Sequence, residues 1–430
     1  MTISDIIKAG IEQARLGYYR DAVDQFSRAI HLDRACTKAF YNRGCAYRDL
    51  AKHQAALDDF SVAIRLDPLF VNAYINRGNI HRILGNLPAA LEDFDTALAI
   101  QPTATKALSN RGRVKLDQED YSGAIADFSI VLQRQTKFYK VLLWRALAYL
   151  KQGALAALAA HRRAAYHAAI VDLSQLLEGQ PKHAEGYNYR AVAYFQLKNY
   201  YQATLDINRA LDCRPDYAEA YINRGMLRHE LGDVQGAIDD YSTVLELEPA
   251  LQDRSYNQTL VGLALDSPDT TVSEDTPLNL RFRLADLYDS RGLLRAQVGD
   301  MDGAIADYTL ALRFHPESAR ILANRGRVLS RQEDYQDAIA DFDRAIELSP
   351  RNALAYCDRG YALYFLDEWE LALDDFDQAI DLNPYLAEAY IGRGHTNIRL
   401  GKGAKAAMSD FRKALELSWQ GRKTERSRMV

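Results

Sequence analysis

The sequence predicts an all-α solenoid of helix–turn–helix repeats, and three observations carry that prediction. A small residue recurs at a spacing of 34, at Gly10, Gly44, Gly78 and Gly112. The tripeptide Asn-Arg-Gly stands there or at later repeats, at 42–44, 76–78, 110–112, 223–225 and 324–326. Each such segment is followed by a second amphipathic stretch with its own small and large apolar residues at fixed distances. Self-similarity of this period is the mark of repeats that bury a core only by stacking.

In chain order, Ala146, Ala191, Gly225, Gly292, Gly326, Gly360 and Gly394 continue the first series, which makes eleven repeats in 430 residues. A tight turn, at Gly85 in the third repeat, joins the two helices of each. Twelve positions after the first small residue comes another, at Ala22, Ala56, Ala90 and Ala124 and later at Ala203, Ala237, Ala304, Ala338 and Ala372. Small side chains at both places let two helix backbones approach closely. Next stands a large apolar residue: Phe26, Phe60, Phe94, Phe128, Leu173, Ile207, Tyr241, Tyr308, Phe342, Phe376 and Phe411. With a small residue further on, such as Ala29 or Ala63, these make an i, i+4, i+7 helix face. Pro68, Pro102, Pro181, Pro215, Pro249, Pro316, Pro350 and Pro384 are expected to stop the second helix and set the turn into the next repeat.

Departures from the period set the expected domains. The fifth repeat holds 11 extra, alanine-rich residues between Gly153 and Ala169, which predicts a hairpin with both arms lengthened. Gly225 to Gly292 is 67 residues, almost two periods. There Leu251 to Leu265 reads as one helix and the acidic run 266–277, DSPDTTVSEDTP, as a loop. A degenerate repeat or linker at 252–284 would then separate seven repeats (1–251) from four (285–421). The last repeat gains one residue in its turn near Lys402 to Lys405, and a basic tail at 422–430 is expected to be disordered.

This 34-residue pattern resembles the tetratricopeptide repeat over about nine-tenths of the chain, and its Asn-Arg-Gly variant is similar to that of bacterial, including cyanobacterial, proteins. The resemblance implies a right-handed superhelix whose concave face is lined by the first helices. It also implies that the asparagine of Asn-Arg-Gly faces inward, where a ladder of amides hydrogen-bonds an extended peptide in several relatives. An amide suits this role because it both donates and accepts. Asn42, Asn76 and Asn110 form one continuous ladder, while Asn223 and Asn324 stand apart. Arg48, Asn79, Arg82 and Arg113 make the groove of the second to fourth repeats polar and basic. Trp144, Tyr189 and Phe195 then give an aromatic floor of the kind that anchors protein partners, with packing beneath the long hairpin as the alternative for Trp144. The family's carboxylate clamp for chaperone C-termini is incomplete: Asn79, Asn110 and Lys140 match, but Ile75 and Trp144 fill the places of its first lysine and its arginine.

Ten repeats carry arginine just before the first small residue and aspartate just before the large apolar one, from Arg43 with Asp59 to Arg393 with Asp410. The first repeat has Ala9 and Gln25 and lacks both. Joint absence points to an ion pair inside each repeat, rather than to a row of arginines that bind anions.

The net charge of −5 leaves no broad basic field for nucleic acid. Cys36, Cys45, Cys213 and Cys357 are scattered, as free thiols in a reducing compartment are. The acid-bearing N-terminus is no signal peptide, and the most apolar run, 153–160, is too short to cross a bilayer, so the expected location is cytoplasmic. No phosphate loop, nucleophile elbow or zinc-protease motif occurs, and His161 and His167 fall on different helix faces. The sequence therefore predicts no enzyme, no cofactor and no metal. It predicts a scaffold or adaptor whose groove takes an extended peptide or partner protein. The alternative is a non-catalytic regulatory or targeting subunit of an enzyme or nucleoprotein complex. For the acidic run 266–277 the two readings are a passive linker and a decoy that occupies the basic groove.

Overall fold

The computed structural model describes residues 2–251, 277–402 and 404–428, which form antiparallel helix pairs. The first three pairs are α1 (Ile3–Arg15) with α2 (Tyr19–Leu32), α3 (Thr37–Asp49) with α4 (His53–Leu66), and α5 (Val71–Ile83) with α6 (Leu87–Ile100). Next come α7 (Thr105–Asp117) with α8 (Tyr121–Arg134), α9 (Tyr139–Leu155) with α10 (Ala159–Gly179), and α11 (Ala184–Gln196) with α12 (Tyr200–Cys213). Then follow α13 (Ala218–Glu230) with α14 (Val234–Leu251), and α15 (Pro277–Val298) with α16 (Met301–Phe314). The last are α17 (Ala319–Arg331) with α18 (Tyr335–Leu348), α19 (Ala353–Phe365) with α20 (Trp369–Leu382), and α21 (Ala387–Arg399) with α22 (Ala404–Arg428). The chain is an all-α solenoid of tetratricopeptide-like hairpins.

Two compact bodies divide it, one up to Tyr217 with α1–α12 and one from Ala218 with α13–α22. This division lies upstream of the break expected at 252–284. In the second body α15 packs directly on α14, and the Arg291 guanidinium donates to the Ser242 hydroxyl at 3.0 Å. The last residues of the expected linker belong to α15, which starts at Pro277. The expected helix 251–265 and acidic loop lie, but for their end residues, outside the described residues.

Curvature follows from which helices meet. Consecutive first helices α1, α3, α5, α7, α9 and α11 touch one another, as do α15, α17, α19 and α21. Consecutive second helices make no such contact among the described residues. Each stack therefore bends toward its first helices, which line the inner face.

Inside each hairpin the large apolar residue plugs the space opposite the first small residue. Phe60, Phe94, Phe128, Phe342 and Phe376 are fully buried, and so are the alanines twelve positions after the glycine. A Cβ on Gly44 would come 2.8 Å from Phe60 Cε1, and one on Gly225 would come 2.7 Å from Tyr241 Cε1. An aromatic ring thus occupies the volume of the missing methyl group. The two repeats with alanine instead, at Ala146 and Ala191, carry aliphatic plugs, Leu173 and Ile207. This coupling is visible in the sequence, but only the ring-to-backbone approach explains it.

All ten arginine–aspartate pairs close within their own repeats, at 2.6–2.8 Å. The guanidinium does a second job that the sequence reading missed. Its remaining nitrogen reaches back to the preceding repeat's second helix: to Ser27 from Arg43, Ser61 from Arg77, Asp95 from Arg111, Ser129 from Arg145 and Ser174 from Arg190. In the second body Thr309, Asp343 and Asp377 receive Arg325, Arg359 and Arg393 likewise. The acceptor always follows the plug directly, so one arginine ties its own two helices and the neighbouring repeat together. Asp at that place adds a second, exposed ion pair, worth up to about 1 kcal/mol. Ser61→Asp is accordingly expected to raise the melting temperature slightly, and the gain should vanish in an Arg77→Lys background, which loses the forked geometry.

Both arms of the fifth hairpin are long: α9 has 17 residues and α10 has 21, against 13 and 14 in the third repeat. Most prolines follow the second helix as expected, but Pro249 lies within α14, which runs on to Leu251. A proline forfeits one main-chain hydrogen bond without obliging the chain to turn. The basic tail is not a separate disordered segment where it is described, because α22 continues through it to Arg428. Its run Gln420 to Arg428 contains no proline and one glycine, so nothing in it stops a helix.

Candidate partner-binding groove

The asparagines of Asn-Arg-Gly sit on the inner helices, but they are not equivalent. Asn42 donates to the Lys38 carbonyl of its own helix at 2.8 Å. Asn76 is committed at both ends: it donates to the Tyr41 hydroxyl at 2.9 Å, and its carbonyl accepts from Arg48 at 3.3 Å. Burial pushes the Tyr41 phenol up to about 12, so this hydroxyl stays protonated. Thirty-four residues after Tyr41 stands Ile75, which offers Asn110 no such partner. Thirty-four after Arg48 stands Arg82, which pairs with Asp117 at 3.2 Å instead. The half-buried amides of Asn79 and Asn110 therefore keep their donors and acceptors uncommitted.

Beside them Arg113 of α7 is half-buried, forms no close ion pair although the charge of Asp117 acts on it, and lies 4.6 Å over the ring of Trp144. Burial and the neighbouring charge of Arg82 both push its guanidinium below the ordinary arginine value. A cation held in this way gains from any anion that reaches it, and the aromatic face beneath holds it in place. Trp144 also packs against Phe128 of α8, ring centroids 6.1 Å apart. Lys106 and Lys140 stand exposed on α7 and α9.

The rest of the expected aromatic floor is occupied with packing. Tyr189 is buried, and Phe195 lies 5.4 Å from Tyr200 of its own hairpin. In the second body Asn223 is buried. Asn324 donates to Asp289 at 3.1 Å, and Asp289 also accepts from Arg320. Arg327 pairs with Asp358 at 2.6 Å. Burial raises both aspartates above the usual carboxylate range. Arg320 and Asn324 with Asp289, and Arg327 with Asp358, thus satisfy one another, whereas Asn79, Asn110 and Arg113 make no ion pair or side-chain hydrogen bond. The sequence signal for this difference was the exchange of Tyr41 for Ile75, which a reading fixed on asparagine alone passes over.

Among the described residues no group of three or more His, Cys, Asp or Glu is placed to hold a metal, and no helix is long and apolar enough to cross a membrane.

Family profiles agree with this architecture. Tetratricopeptide repeat profiles match residues 7–69, 109–170 and 357–422, with further matches at 71–104 and 218–251, and a TPR repeat profile matches 326–367. No curated protein matches the sequence. Among solved structures, a tetratricopeptide repeat protein from Parabacteroides merdae is 21% identical, with a TM-score of 0.44, covering 57% of this chain and 93% of that one. YrrB, described as a TPR protein with an unusual peptide-binding site, is 18% identical with a TM-score of 0.40, over 48% of this chain and 97% of its own. Yeast Tom70 is 15% identical with a TM-score of 0.35, over 96% and 92%. The repeated profile matches, the 34-residue hairpins and their stacking together establish that the chain belongs to the tetratricopeptide repeat family.

Proposed function

We propose that this chain is a protein-interaction scaffold whose first body holds an extended segment of a partner protein across α5, α7 and α9. Tetratricopeptide repeat proteins generally mediate protein–protein interaction and complex assembly, and the family is generally non-catalytic. The observation that carries the reading is Arg113: a half-buried cation engaged in no close ion pair, set on Trp144 beside two uncommitted amides. The amides of Asn79 and Asn110 supply donors and acceptors for a peptide backbone, and Arg113 favours a segment with an acidic group nearby. Asn76 and Asn324 serve chiefly to join inner helices, and Asn42 is bonded to its own helix.

The test compares two baits, the native chain and an Asn79→Ala, Asn110→Ala, Arg113→Ala variant. These side chains make no ion pair or side-chain hydrogen bond in the fold, so the variant should stay folded and lose only the Arg113–Trp144 contact, about 0.5–2 kcal/mol. Loss of a central arginine anchor of this kind costs about 2 kcal/mol or more, roughly thirtyfold in affinity. A partner bound by the native chain should be lost from this variant and kept by Asn42→Ala. Equal retention by all three refutes the assignment. Steep loss with salt would point instead to nucleic acid.

A further inference from the structure

The long fifth hairpin has a consequence beyond the groove. Where it rises past the turn between α7 and α8, it leaves a cleft of about 710 Å³ against that turn. Leu155, Tyr149, Ala164, Ala165 and Ala168 form its apolar wall. Alanines on α10 keep this wall low, because a larger side chain at those places would fill the step.

The two sides of this region differ in charge. The turn Asp117-Gln118-Glu119-Asp120 is acidic, and Glu119 and Asp120 both line the cleft. Asp117 is paired with Arg82, and Asp120 caps α8 by accepting from the Gly123 amide at 2.9 Å, while the exposed Glu119 has no side-chain partner. The hairpin tip, Ala154 to Ala164, contains no acid and carries Arg162 and Arg163. Neither forms an ion pair in its own chain; Arg162 donates to the Ala156 carbonyl at 3.1 Å. The tip also exposes two leucines, Leu155 at 71% and Leu158 at 61%.

An apolar tip flanked by cations therefore lies beside an apolar cleft flanked by acids, on one continuous patch. Such a patch complements itself when a second copy is turned by a two-fold axis. We propose that this chain self-associates as a symmetric dimer, with the hairpin tip of each copy seated in the cleft of the other. Leu158 of one copy enters the cleft beneath Leu155 of the second, and Arg162 and Arg163 meet Glu119. Burying the leucines supplies the attraction, and the opposed charges fix the register and reject the parallel arrangement.

Analytical ultracentrifugation of the full chain over a range of concentrations tests this. A reversible monomer–dimer equilibrium is expected. Leu158→Asp, the single reversal Glu119→Arg, and the double reversal Arg162→Glu with Arg163→Glu should each weaken the dimer by about tenfold or more. All these side chains are exposed, so the helical content, and the melting temperature at concentrations where the native chain is monomeric, should match those of the native chain. Combining Glu119→Arg with the two tip reversals in one chain should restore the dimer. A chain that stays monomeric at every concentration, a dimer indifferent to the tip, or a combined variant that fails to recover while still folded overturns the proposal.

Discussion

Replacing Arg77 by leucine is expected to destabilise the first body by about 3–5 kcal/mol. The aspartate it leaves behind, Asp93, is only 3% exposed and takes hydrogen bonds from Arg77 through two guanidinium nitrogens. Without them a carboxylate remains buried with no counter-charge. The substitution also removes the donor to Ser61 and so loosens the joint with the preceding repeat. Replacing both partners, Arg77→Leu with Asp93→Leu, should recover much of the loss, because a buried ion pair adds little net stability over apolar residues of similar volume. Urea unfolding of the wild type, both single variants and the double variant measures this. Additive losses across the cycle would show that the two side chains do not act as a pair.

The second large effect is expected at Gly44. Alanine is intrinsically better in a helix by about 1 kcal/mol, so propensity alone predicts a gain. The structure predicts a loss, because the new methyl group would sit 2.8 Å from Cε1 and 3.0 Å from Cδ1 of Phe60, a fully buried ring. Overpacking of this kind costs about 1–3 kcal/mol and outweighs the propensity term. In the Gly44→Ala background, Phe60→Leu should cost far less than it does alone, and it should bring the hairpin to the pairing that Ala146 and Leu173 already have. If Phe60→Leu costs the same in both backgrounds, ring and methyl do not compete for one space.

These two cycles mark how far the sequence could be read. The repeat and its ion pairs were legible because each repeats in register, and a joint gap at Ala9 and Gln25 pointed to pairing within the repeat. The backward arm of each arginine was not, since Ser61 and Asp95 look like unrelated surface residues until the preceding helix is placed against them. The groove was legible only in outline. Asn76 and Asn110 open the same tripeptide, yet one is held by Tyr41 and the other is not, and the difference lies one repeat away. Contacts across the long gap in the period were likewise hidden, as Ser242 and Arg291 meet although 49 residues separate them.

The pairing of glycine with an aromatic ring, and of alanine with leucine or isoleucine, bears on how such a chain can grow. The two partners lie on different helices of one hairpin, 16 residues apart in a regular repeat such as Gly44 with Phe60. A duplication or recombination event whose breakpoint falls in the turn between them would join a first helix of one kind to a second helix of the other. Alanine would then meet a ring that has no room for it, or glycine would face an aliphatic plug across a void. Breakpoints between hairpins carry both partners together and create neither fault. The heritable module is thus the whole hairpin in this phase, and an array lengthened by copying that module starts with its packing already matched.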